Sequence, residues 1–138
     1  MVKYHGKVKR RNENCFFKGK DLPVATASKE GVPNVVPIGF CQLVDDGTIW
    51  IADNFMVKSL ANLEENPNLA IYVWGPETGG CFQIKGKATI IRSGEKFDKM
   101  KVIVNTAKPG LPAKTLIEVA ISEVFQCAPG LAAGKKLL

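Results

Sequence analysis

From Leu22 to Gln126 the chain reads as short β patterns divided by turn chemistry, leaving room for only two helices, and this confines it to a small sheet-based fold. Leu22–Ser28 is a strand of small residues, and Lys29-Glu30-Gly31-Val32-Pro33 turns it back into a second strand, Asn34–Leu43. Pro37 cannot donate to a ladder and Gly39 has no side chain, so in mid-strand they mark an interrupted edge or a place where a ligand approaches the backbone. Asp45-Asp46-Gly47 turns the chain into Thr48–Asp53, which predicts a three-stranded meander. Leu69–Trp74 is apolar throughout, whereas Cys81–Ile91 alternates, with Phe82 and Ile84 inward and Gln83 and Lys85 outward. Ser93 is the expected N-cap of a helix from Glu95 to about Val104 that carries Phe97, Met100 and Val104 on one face. Pro109 and Pro112 break the chain before the last strand, Leu116–Gln126, and residues 128–138 carry no assignment. The expected fold is mainly β (α+β): a six-stranded antiparallel barrel of Greek-key type with two flanking helices.

The other helix carries the chemistry. It begins after Asp53-Asn54-Phe55-Met56-Val57 with Lys58 and Ser59, and ends at Asn66-Pro67. The first turn of a helix has unpaired N–H groups and partial positive charge, so an ammonium and a hydroxyl there complete a site for a phosphate monoester. A cation is electrostatically disfavoured at that end unless an anion compensates it, which favours binding over an ordinary surface lysine.

A chain of 138 residues is one domain, too short for separate catalytic and cofactor domains, and divides into a basic arm (1–20) and the domain proper (21–138). The arm holds seven Lys and Arg against Glu13 alone, and the remainder is balanced, so the whole net charge of +6 lies there. Such an arm can touch nucleic acid, but its charges have no aromatic residues interleaved for stacking, and a solvated segment is the favoured reading, with Phe16 and Phe17 anchoring it. No apolar run spans a membrane and the N-terminus does not read as a secretory signal, so the expected location is cytoplasmic. Cys15, Cys41, Cys81 and Cys127 are widely spaced and His5 is the only histidine, which argues against a metal site and for reduced thiols. Trp50 and Trp74 read as core residues. Asp45-Asp46 is turn chemistry, and no nucleophile with its own base, Rossmann fingerprint or P-loop is present, so no catalytic side chain is assigned.

Met56-Val57-Lys58-Ser59-Leu60-Ala61-Asn62, Asn66-Pro67, the strand ending at Trp74 and the strand leading into Gly86 together resemble the pyridoxamine 5′-phosphate oxidase-like split β-barrel flavoproteins, above all their small FMN-binding members. The resemblance extends over about residues 20 to 126. It implies a homodimer with FMN in clefts between the subunits, Lys58 and Ser59 on the 5′-phosphate, and Met56 and Val57 against the ribityl chain or ring. It also implies that the backbone of Val36, Pro37 and Ile38 faces the isoalloxazine, that Ala52 and Asp53 border the ribityl side, and that Cys81 or its neighbours approach the cofactor across the dimer. The oxidases that give the family its name carry Trp and Arg in a C-terminal segment, whereas no Arg follows Arg92 here, so that activity is not expected. They also carry an Arg-Lys pair where this chain has Lys58-Ser59. The implied function is an FMN-dependent oxidoreductase or electron carrier served by a small-molecule or protein electron donor. The alternatives are the same cleft holding F420 or haem, and a non-enzymatic binding protein using its arm on nucleic acid.

Overall fold

The computed structural model describes residues 21–75 and 80–138. The basic arm, with Cys15 and the expected anchors Phe16 and Phe17, lies outside the described residues.

Seven strands and two helices follow in the order β1 (Leu22–Ala27), β2 (Pro33–Ile38), β3 (Cys41–Asp45), β4 (Thr48–Asp53), α1 (Lys58–Glu65), β5 (Asn68–Gly75), β6 (Gly80–Ile91), α2 (Glu95–Ala107) and β7 (Thr115–Gln126). They form one antiparallel sheet in the order β2-β1-β5-β6-β7-β4-β3. Strands β2 and β3 are consecutive in the chain yet occupy the two opposite edges. Only Gly39 and Phe40 separate them, so the sheet has to curl until its edges meet at that corner, which makes it a split barrel. The meander β5-β6-β7 with β4 returning beside β7 supplies the Greek-key ordering.

This arrangement corrects two expectations. Residues 34–43 are two strands rather than one, which raises the count from six to seven, and the three-stranded meander does not form. Gly39 and Phe40 turn the corner: β2 pairs with β1, while β3 pairs with β4, and the Phe40 carbonyl accepts the Ala52 N–H at 3.1 Å. Pro37 stands on an edge strand. It lies opposite Pro23, and two prolines cannot exchange N–H bonds, so its missing donor falls on the open side of β2.

The barrel interior is filled by alternate residues of the strands, among them Leu22, Val24, Ile49, Ile51, Ile71, Val73, Ile84 and Val119. A second core lies outside the barrel, where Met100 and Val104 of α2 pack on Trp50, Ala52 and Leu116. Strand β4 is therefore apolar on both faces. Trp50 is a core residue as expected, and its Nε1–H donates to Glu118 Oε2 at 3.0 Å. Trp74 is half-buried and stacks on Tyr72, with ring centroids 4.9 Å apart. Helix α2 runs three residues beyond the expected end, and its N-cap is Gly94 rather than Ser93, with no side-chain cap bond. Gly94 takes φ 103°, a conformation that suits glycine and places Ser93 outside the helix.

Strand β6 requires a glycine at position 86. The register with β7 slips between Lys85 and Gly86, and a Cβ at Gly86 would lie 2.6 Å from the Ala120 carbonyl oxygen and 2.6 Å from Val119 Cγ1. The C-terminal residues fold back on β7: Leu137 N–H donates to the Val124 carbonyl at 2.7 Å and Gly134 N–H to that of Gln126 at 2.7 Å. Leu137 and Leu138 pack against the barrel core.

Candidate functional site

The approach to α1 is shaped by a buried carboxylate. Asp53, at the end of β4, is fully enclosed, and its Oδ1 accepts the Met56 N–H at 2.8 Å while the Lys114 ammonium lies 3.9 Å away. This bond curls residues 53–56 so that Met56 enters the barrel core, while Phe55 and Val57 point outward. Oδ2 of Asp53 has no hydrogen-bond partner among the described residues. The neighbouring Asn54 reaches the other way, accepting the Ala113 N–H at 2.8 Å. Ala113 is enclosed and sits at φ 43°, so this bond and the one from Lys114 N–H to the Asp53 carbonyl (2.9 Å) hold the α2–β7 connection in a turn that an L-residue seldom adopts.

Helix α1 then starts without a cap. Val57 is the N-cap residue, it makes no side-chain cap bond, and the first turn contains no acidic residue. The first helical bond runs from Ala61 N–H to the Val57 carbonyl, so the N–H groups of Lys58, Ser59 and Leu60 have no partner within the helix. The Lys58 side chain is exposed and makes no ion pair among the described residues, while Ser59 is buried and accepts a hydrogen bond from Asn34 Nδ2 at 3.1 Å.

A cavity of about 840 Å³ opens in front of this turn. One wall is β2 and its corner, residues 34–40; another is Ala52 with residues 54–59; the third is Ala107, Lys108 and Leu111 at the end of α2. Of the nine residues named from sequence, Val36, Pro37, Ile38, Ala52, Met56, Val57, Lys58 and Ser59 line this one cavity, although they come from three separate segments. Asp53 does not line it and lies beneath, shaping the turn. Asn34, Asn54, Lys108 and Leu111 line it too and were not identified from sequence. Asn34 had a signal, an amide placed next to a proline at the start of an edge strand, but it reads equally as turn chemistry.

The cavity is apolar with a polar end, the form common to cofactor sites. Its open rim is apolar as well: Val35, Phe55 and Val57 are 63%, 74% and 78% exposed. The thiols of Cys41, Cys81 and Cys127 stand elsewhere. Burial pushes the Cys41 thiol well above its usual range, consistent with an inert core residue. Cys81 and Cys127 are half-buried; the hydrogen bond to Cys81 raises the Tyr72 hydroxyl, and desolvation raises Cys127. No group of three His, Cys, Asp or Glu able to hold a metal ion occurs among the described residues.

Residues 21–128 match the family model described as pyridoxamine 5′-phosphate oxidase. The chain belongs to this family. An uncharacterized protein of Methanocaldococcus jannaschii is 36% identical over 118 residues, covering 81% of this chain and 76% of its own. Among solved structures, HupZ of Group A Streptococcus superimposes with a TM-score of 0.74 at 24% identity, covering 94% of this chain and 98% of that one. An FMN-binding protein of Syntrophomonas wolfei gives 0.71 at 19%, covering 89% and 85%. Two further structures share the fold. They are an F420 reductase (0.62, 16%, covering 81% and 94%) and the heme storage protein HutZ of Vibrio cholerae (0.64, 17%, covering 88% and 92%). This fold therefore serves proteins named for FMN, F420 and haem.

Proposed function

We propose that this chain is an FMN-binding oxidoreductase or electron carrier of the pyridoxamine 5′-phosphate oxidase family, with the flavin held at the interface of a homodimer. The observation that carries the reading is the uncapped first turn of α1, where Lys58 and Ser59 line the cavity and the N–H groups of Lys58, Ser59 and Leu60 have no partner within the helix. These donors and the ammonium suit the dianionic phosphate monoester of FMN. A phosphodiester such as that of F420 carries less charge there, and His5, the only histidine available to a haem iron, lies in the basic arm outside the described residues.

The remaining walls suit the rest of the molecule. The open edge of β2, at Val36, Pro37 and Ile38, offers backbone groups and apolar side chains along a flat ring, and Ala52 leaves room beside the ribityl chain. Met56 and Val57, which line the cavity just before the start of α1, lie against the ribityl chain or ring. Bound FMN supplies hydride or single-electron transfer at its ring system, and the chain's own part is to bind, orient and exclude water. That division fits a cavity whose only charged lining residues, among the described residues, are Asp21, Lys58 and Lys108. The exposed apolar rim of Val35, Phe55 and Val57 supports a second copy closing over the cavity.

The test is a visible absorption spectrum of the purified protein, alone, with added FMN and then with dithionite, together with the mass in solution by light scattering. A yellow dimer that bleaches on reduction supports the reading. A colourless monomer that ignores FMN overturns it, and mass determination of an extracted chromophore separates FMN from F420 and haem.

A further inference from the structure

The Ser59 hydroxyl is not free to point anywhere. Asn34, on β2, sends one amide hydrogen to Ser59 Oγ (3.1 Å) and the other to Thr26 Oγ1 (3.3 Å). Thr26 Oγ1 also accepts Asn62 Nδ2 at 3.0 Å, from the second turn of α1. Thr26 and Ser59 are buried, with 4% and 1% exposure, so the bonds lie out of water, where leaving a group unpaired is costly. The network ties three segments together: β1 through Thr26, β2 through Asn34 and α1 through Ser59 and Asn62.

We infer that Asn34 is a positioning residue for phosphate recognition: by donating to Ser59 Oγ it commits that oxygen as an acceptor and turns the Ser59 proton outward, toward the anion at the start of α1. Both hydrogens of the Asn34 amide are used within the protein, so the amide does not itself donate to a ligand. Ser59 behaves differently. Its oxygen receives the Asn34 bond, and among the described residues nothing accepts its proton. An anion placed against the N–H groups of Lys58, Ser59 and Leu60 is the acceptor that completes the set. The network thus makes the site selective for a ligand ending in a phosphate monoester over the same ligand without it. This inference rests on the proposed FMN reading and adds to it a residue outside the Lys58–Ser59 pair.

The experiment compares FMN with riboflavin, which lacks the phosphate, by titration with the wild-type chain, Asn34→Ala, Asn34→Asp, Ser59→Ala and the Asn34→Ala/Ser59→Ala double variant. Thermal melts confirm that each is folded. The aspartate keeps the shape but accepts the Ser59 proton instead of donating, which turns the hydroxyl away from the anion. The wild type binds FMN more tightly than riboflavin, and either Asn34 variant weakens FMN by about tenfold or more while riboflavin changes less than about twofold. In the Ser59→Ala background, Asn34→Ala adds less than about twofold. Equal weakening of both ligands, or a full additive loss in the double variant, overturns the positioning role while leaving the flavin reading intact. A wild type that binds the two ligands equally overturns the phosphate site and, with it, this inference.

Discussion

Replacing Lys58 with glutamate has opposite consequences for binding and for folding, and the two signs can be worked out separately. For binding, the substitution removes the only ammonium in the first turn of α1 and places a carboxylate beside the proposed phosphate. The lost charge-assisted bond and the added repulsion together amount to about 2–4 kcal/mol, a thirty- to thousand-fold weaker Kd, reduced at high salt because the side chain is exposed. For folding, the start of α1 has no acidic residue and no side-chain cap, so a glutamate there meets the helix dipole favourably. That contributes about 0.3–1 kcal/mol, or roughly 1–4 °C in Tm for a domain of this size. Lys58→Glu should therefore melt slightly higher than the wild type without ligand while losing FMN. The assay is quenching of flavin fluorescence at two ionic strengths beside a thermal melt of the apo chain. An FMN affinity within about twofold of wild type refutes the reasoning. A large fall in Tm refutes it as well, because the loss of binding would then report unfolding.

Three further outcomes follow from the same structure. Gly86→Ala drives a Cβ to 2.6 Å from the Ala120 carbonyl, and the resulting shift of β6 against β7 should cost about 1–3 kcal/mol in denaturant unfolding. Asn54→Ala leaves the N–H of the enclosed Ala113 without its acceptor and should cost about 1–3 kcal/mol, with hydrogen exchange accelerated in residues 108–114 rather than throughout the chain. Among Cys41, Cys81 and Cys127, peptide mapping after thiol labelling should find Cys41 the last to react, at the rate of global unfolding, because it is buried, whereas the half-buried other two label in the folded state.

Much of the barrel is legible in the sequence because its signals are local. The inward alternation at Phe82 and Ile84, the Asp46-Gly47 turn and the Lys58 to Asn66 helix all depend on residues a few positions apart. Pro37 and Gly39 mark an interruption of the strand in the sequence, but not where its two halves go. That one strand would divide between the two opposite edges of the sheet depends on pairings with β1 and β4, and hence on the global order. Ser93 was the better cap by side-chain chemistry, yet Gly94 holds the position because the chain enters α2 through a positive φ. The site was half legible for the same reason. Lys58 and Ser59 announce themselves by their place at a helix start, whereas Asn34 meets Ser59 across 25 positions and Asn54 meets Ala113 across 59. The resemblance implies that Asp53 borders the ribityl side; in the fold its carboxylate is enclosed and holds the Met56 amide.

A crystal structure of the protein grown with FMN shows whether one end of the cavity is built for a phosphate monoester. The expected result has the phosphate oxygens within hydrogen-bond reach of the Lys58, Ser59 and Leu60 amides and the Ser59 hydroxyl, with the ring lying along the open edge of β2. Flavin bound with its phosphate elsewhere, or a cavity that excludes flavin at saturating concentration, contradicts it.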